Sequence, residues 1–154
     1  MLEIKIKIMK KLLFTSIWIS LVLLASAHTP VLEKATRNFS RDYKGAIGAE
    51  WQPLKEGGYV CRFTLDGVGK KAFYDKHGNW LSTVAGYTES KMPKDIRRAV
   101  LSNYYDYSIL YVHEVNMPGK SAVYMVQVRD KHTIRILRVI EGEVEEVREL
   151  EATE

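Results

Sequence analysis

The chain has 154 residues, 23 of them basic and 19 acidic, and 46% of it is hydrophobic. That is enough for one ordinary domain with an apolar core, while a single cysteine, Cys61, excludes an internally cross-linked scaffold. The formal charge of +4 would suit a nucleic-acid binder, but most of that excess lies in the first 27 residues.

Those residues have the three zones of an export signal. Lys5, Lys7, Lys10 and Lys11 form a positive start, offset only by Glu3. An apolar run from Leu12 to Leu24 follows, interrupted by Thr15, Ser16 and Ser20, and it closes on Ala25-Ser26-Ala27. The run is shorter than the roughly 20 residues a membrane-spanning helix needs, so cleavage between Ala27 and His28 is expected. Met9-Lys10-Lys11 also reads as a natural start, which leaves the export signal intact. The cleavage point is not followed by a cysteine, so acyl anchoring is not expected. Without the signal, 19 basic residues face 18 acidic ones, and the electrostatic footprint for nucleic acid is lost. The expected product is a periplasmic or secreted domain, residues 28–154, with no membrane attachment after cleavage.

Thr29-Pro30 opens a first helix whose apolar face is Leu32, Ala35, Phe39 and Tyr43. Gly45 lies just past its end. The period then becomes two: Ile47, Ala49 and Trp51 alternate with polar neighbours, as do Tyr59, Cys61, Phe63 and Leu65 after Glu56-Gly57-Gly58. Asp66-Gly67 is a hairpin turn, residues 68–75 a strand, and Asp75 to Gly78 a turn into Asn79 to Val84. Pro93 opens a second helix bearing Ile96, Val100 and Tyr104 on one face. Strands follow at Ser108–Val115, around Ala122, Tyr124, Val126 and Val128, and at Thr133–Ile140, before a last short element. The tail from Glu141 carries seven glutamates and one arginine and reads as a solvated end that docks briefly through Val144, Val147 and Leu150 before fraying.

Phe39, Tyr43, Ile47 and Trp51 recur 62 residues on as Leu101, Tyr105, Ile109 and His113; Asp66 and Gly78 match Asp130 and Gly142 at 64. This predicts an α+β fold: a tandem repeat of one helix plus about four antiparallel strands, residues about 29–88 and 90–150, with the helices on one face of the sheet and the other face open.

Several residues carry a family resemblance. The helix ending in Phe39 and Tyr43 leads to a strand with Trp51, then to Gly58-Tyr59 and Phe63. The hairpin Ala72-Phe73-Tyr74-Asp75…Gly78-Asn79-Trp80-Leu81 and the helix opening Met92-Pro93 follow. Over about residues 31–150 the chain resembles the PepSY-like secreted proteins of Bacteroidetes-type bacteria, related in fold to β-lactamase-inhibitor protein. The resemblance implies tandem helix-plus-sheet repeats, a place outside the cytoplasm, and binding or inhibition rather than catalysis. The second half departs from it, with His113 in place of an aromatic like Trp51 and Arg138 to Gly142 in place of Phe73 to Gly78.

Chemical motifs are sparse. Cys61 lies on the apolar side of its strand and reads as core. His28, His77, His113 and His132 have no metal-ligand spacing, and no metal or cofactor is expected. Asp75 to Asn79 lacks the periodicity of a calcium loop and reads as a turn. The richer set is aromatic and basic: Tyr104, Tyr105, Tyr107 and Tyr111 crowd the second helix–strand junction, while Arg62, Arg129 and Arg135 fall off the apolar faces of their strands. Arg62, Lys71, Arg129, Arg135, Tyr107 and Tyr111 are the candidate partner-binding residues, since tyrosine and arginine dominate contact hot spots. The expected function is an exported, non-enzymatic module that binds an extracytoplasmic protein or peptide through the open sheet face. The alternatives are a small-ligand or envelope-sensing module with a pocket between helix and sheet, and a hydrolase assembled from distant residues.

Overall fold

The computed structural model describes residues 30–152. The export signal, Ala27, His28 and Thr29 lie outside the described residues. Helix α1 spans Pro30–Asp42, and strands β1 to β4 follow at Ile47–Pro53, Tyr59–Leu65, Val68–Tyr74 and Trp80–Tyr87. A short 3₁₀ turn, Glu89–Lys91, precedes helix α2 at Lys94–Asn103. Strands β5 to β8 are Ser108–Asn116, Val123–Arg129, Thr133–Ile140 and Glu143–Glu151.

All eight strands form one antiparallel sheet in chain order. The turns explain part of that simplicity. Asp66 and Gly67 join β2 to β3 with φ of 53° and 72°, and Glu141 and Gly142 join β7 to β8 with 52° and 87°. Two successive positive-φ residues give the tight hairpin whose twist matches that of its strands. Helix α1 ends where Gly45 takes φ 84°.

Both helices lie on one face. Ala35 and Phe39 of α1 pack on Cys61, Phe63, Ala72 and Tyr74 of β2 and β3. Ile96 and Val100 of α2 pack on a larger cluster that includes Val112, Val126, Val128, Leu137 and Val139. A polar seam parts the two clusters: Thr83 stands opposite Asn116, and Ala85 opposite Glu114. The seam is satisfied internally. Thr83 Oγ1 takes a hydrogen bond from Trp80 Nε1 at 2.9 Å and shares another with the Tyr43 hydroxyl. Glu114 accepts from the Tyr87 hydroxyl at 2.6 Å and from Asn116 Nδ2 at 2.8 Å.

The expected tandem repeat of a helix plus about four strands is not what folds. One continuous sheet with two helices forms instead, and β4 pairs directly with β5, Val84 opposite Val115. The residues matched 62 apart also occupy unlike places. Tyr43 packs against Phe39 and Phe63, whereas Tyr105 is 84% exposed. Ile47 is 67% exposed on the edge strand while Ile109 is buried. Trp51 packs under α1 beside Phe39, but His113 lies on the opposite face, next to Tyr111. Register shifts in β1 and β5 break the equivalence, since one extra residue reverses the side to which those after it point.

The acidic tail is also ordered further than expected. Glu143–Glu151 forms a full edge strand paired with β7 along its length. Its glutamates keep an exposed edge from recruiting further strands, and Arg135 and Arg138 neutralise part of their charge.

Truncating the core should show how much it carries. Leu137 is fully buried, and Leu137→Ala is expected to lower urea-unfolding stability by about 3 kcal/mol; a loss well under 1 kcal/mol would mean that this cluster is not close-packed.

Candidate functional site

The face opposite the helices is not the polar surface that alternation leads one to expect of an uncovered sheet. Val84, Val115, Val123 and Ile140 stand directly opposite one another across β4 to β7. Met125 and Ile136 extend this row on the same side, and Val60 pairs with Phe73 towards β2 and β3. Apart from the buried Val60, these residues are half-buried, shielded by one another with neither α1 nor α2 over them.

Charge borders the apolar band unequally. At the β7–β8 end, Arg138 is ion-paired with Glu145. At the β2–β3 end, Arg62 and Lys71 stand directly opposite each other. Arg62 hydrogen-bonds the neutral Gln52, and among the described residues no carboxylate lies within ion-pairing distance of either cation. Between them and β5 lies a shallow hollow of ≈ 460 Å³, with Gly69 and Gly86 on its lining. Tyr111 and His113 wall its other side, their rings edge-on with centroids 4.9 Å apart. A register shift between Ile109 and Tyr111 sends Ile109 and Val112 into the core and turns Tyr111 and His113 outward. A Cβ at Gly86 would collide with the Tyr111 hydroxyl, so this glycine lets the tyrosine lie flat on the sheet.

The candidate residues therefore divide. Arg62, Lys71 and Tyr111 line the hollow. Arg129 is on the same face at a corner, with Asp106, Ser108 and Lys131. Arg135 and Tyr107 lie on the helix-covered side, where Val128 stands opposite Arg135 and Tyr107 packs against the larger core. Arg135 there is a structural hub. It bonds Glu146 at 2.8 Å and Glu149 at 2.9 Å, and it stacks over the Tyr107 ring at 5.4 Å. Tyr104 donates to the same Glu146. Alternation alone does not mark the apolar row, because valine and isoleucine give the same signal on a covered face as on an uncovered one.

Other chemistry is dispersed. Cys61 is fully enclosed, and burial pushes its thiol up to about 11, away from thiolate reactivity. Asp75 accepts from the backbone N–H of His77 and Asn79 and from the Asn79 side chain, bonds that hold its carboxyl below the usual range. Asp130 is lowered likewise by the N–H groups of His132 and Thr133. Both carboxylates organise turns. His77 and His132 lie in separate turns, far in the sheet order from each other. Among the described residues, no group of three or more His, Cys, Asp or Glu side chains converges to hold a metal. Between the C-terminal end of α1 and the sheet is a cleft of ≈ 250 Å³ lined by Asp42, Tyr43, Lys70, Trp80, Thr83 and Asn116. The Tyr43 hydroxyl and the Trp80 indole are already bound to Thr83.

Fold and site together define an antiparallel sheet with helices on one face and an apolar, charge-edged surface on the other. No family model and no curated protein sequence matches the chain. Solved structures share the fold. A BLIP-like protein from Bacteroides fragilis NCTC 9343 superposes with a TM-score of 0.62 at 21% identity, covering 83% of this chain and 91% of that one. A DUF2874 family protein from Bacteroides ovatus ATCC 8483 gives 0.60 at 19% identity, covering 77% and 85%. A Bacteroides eggerthii DSM 20697 protein provisionally assigned to the periplasm gives 0.58 at 18%, covering 77% and 87%. At these identities the likeness is one of fold.

Burial sets an alkaline limit on stability. Cys61 is raised to about 11 by burial, and burial also raises the Tyr43, Tyr74 and Tyr87 hydroxyls. A raised folded pKa gives stability that is complete below the unfolded pKa and lost as pH climbs through the folded one. The melting temperature should therefore hold to about pH 8.5 and fall beyond it, through 11. Ellman's reagent at pH 8 should find Cys61 silent until urea unfolds the chain; rapid labelling of the folded protein would contradict the enclosed thiol.

Proposed function

We propose that this chain is an extracytoplasmic, non-enzymatic binding module that grips another protein through the uncovered face of its sheet. One observation carries the reading: the row Val84–Val115–Val123–Ile140 crosses four strands on the face opposite both α1 and α2. An isolated apolar residue on a surface needs no explanation, whereas a contiguous band rimmed by charge marks a contact surface. The export signal read at residues 1–27 supports a destination outside the cytoplasm. Among the described residues no helix is long and apolar enough to cross a membrane. Fold neighbours include a BLIP-like protein and one provisionally assigned to the periplasm, which is consistent with an inhibitor-like or restraining role.

The cleft between α1 and the sheet supports a small-ligand reading less well, because Thr83 already occupies the polar groups of Tyr43 and Trp80. A hydrolase would need acids or histidines gathered in a cleft, and Asp75, Asp130, His77 and His132 serve or flank turns instead.

Immobilised protein exposed to envelope extract provides the test. Wild type and an Arg37→Glu control on the exposed side of α1 should retain the same partner. A Val115→Glu/Met125→Glu variant should lose it by at least about tenfold, because two carboxylates would be buried at the contact. Equal retention by the double variant, or no partner retained by the wild type, would overturn the reading.

A further inference from the structure

We infer that the hollow beside Arg62 and Lys71 receives an acidic side chain from the bound protein, presented on an extended segment whose apolar neighbours lie on the Val84–Val115 row. The inference rests on the open-face reading and specifies the chemistry of its partner.

The argument starts from a cost. Two like charges directly opposite on neighbouring strands destabilise a sheet, yet Arg62 and Lys71 hold those positions on the uncovered face. By contrast, Arg138 stands opposite Glu145 and pairs with it, and Arg135 pairs with both Glu146 and Glu149. Glu50 stands opposite Arg62 in register, but the guanidinium turns to Gln52. The two cations thus lie beside a ≈ 460 Å³ hollow that Tyr111 and His113 also wall, and although Glu50 is on its lining too, that carboxylate is ion-paired with neither of them, so two positive charges face one negative. A carboxylate entering there would meet a guanidinium and an ammonium, the donors that form the stronger, charge-assisted hydrogen bonds.

The space itself adds a second argument. Gly69 is the second residue of β3, opposite Gly86, and its backbone does not take the left-handed conformation that calls for glycine. A Cβ built on it would meet nothing within 4 Å. Glycine weakens a strand, and neither its backbone conformation nor a close neighbour calls for one at this position. The absence of a side chain leaves the hollow open to an incoming group.

Titration of ¹⁵N-labelled protein with the capped peptides Gly-Val-Glu-Val-Gly, Gly-Val-Gln-Val-Gly and Gly-Val-Lys-Val-Gly tests the inference. The Glu peptide should shift the amides of Gly69, Lys71 and Gly86 and bind about tenfold tighter than the Gln peptide. That advantage should vanish in about 0.5 M salt, and Arg62→Glu/Lys71→Glu should transfer the preference to the Lys peptide. Gly69→Val should keep or raise the melting temperature while abolishing Glu-peptide binding, which separates a filled hollow from a damaged fold. Equal affinity for the Glu and Gln peptides on this face would overturn the acidic specificity and leave the open-face reading standing. Shifts mapping away from the hollow, or none with any peptide, would overturn the inference, and the broader reading would still be decided by the Val115→Glu/Met125→Glu comparison. A sulfated polysaccharide that binds wild type and Gly69→Val alike would show a general polyanion surface and would also overturn it.

Discussion

An eight-stranded sheet is about 34 Å wide at the usual strand spacing, and helices of 13 and 10 residues are about 20 and 15 Å long. Two such helices can dry only one face. Everything else in the molecule follows from how the chain distributes apolar side chains between the face it can cover and the face it cannot. On the covered side the distribution is conventional: α1 and α2 each close over an apolar cluster, and a polar seam with satisfied hydrogen bonds lies between. On the other side apolar residues persist without cover, and there the free energy of burial becomes available to a partner.

The ends of the sheet are finished by charge. At the β7–β8 edge, beside α2, Arg135 ties Glu146 and Glu149 of the last strand to the Tyr107 ring. These partly exposed ion pairs add little as individual contacts, but together they fix an acidic edge strand that would otherwise repel itself. The opposite end has no such neutralisation on the uncovered face, where Arg62 and Lys71 face each other. This asymmetry gives the uncovered face a direction.

Elements with one apolar face were legible in the sequence, because helix period and strand alternation report burial wherever burial is one-sided. Both helices, the hairpin turns, and the packing of Ala35, Phe39, Cys61, Ile96 and Val100 could be read directly. β7 shows why the rest was not. Its even positions, Ile134, Ile136 and Ile140, look more like core than Thr133, Arg135, Leu137 and Val139. Pairing with β6 nevertheless turns the odd set inward, so Arg135 lands under the helices' side and the isoleucines outside. A functional surface that is itself apolar erases the contrast on which alternation depends. The residue matches at 62 positions failed for a related reason: a register shift in β1 or β5 is invisible in composition but reverses every later side chain. The hollow gathers Arg62, Lys71, Gly86 and Tyr111 from four strands, a proximity no local spacing encodes.

The central claim is a division of labour between two apolar faces, and paired Val→Thr substitutions on the same strands measure it most directly. Val112 and Val115 share β5, and Val126 and Val123 share β6; in each pair the first is fully buried and the second stands on the uncovered face. Threonine keeps the shape and adds a hydroxyl, so urea unfolding should register a loss of about 1–3 kcal/mol at Val112 and Val126. The same change at Val115 and Val123 should stay within about 0.5 kcal/mol. Comparable losses at all four positions would contradict the account, because the uncovered row would then be serving the fold rather than a partner.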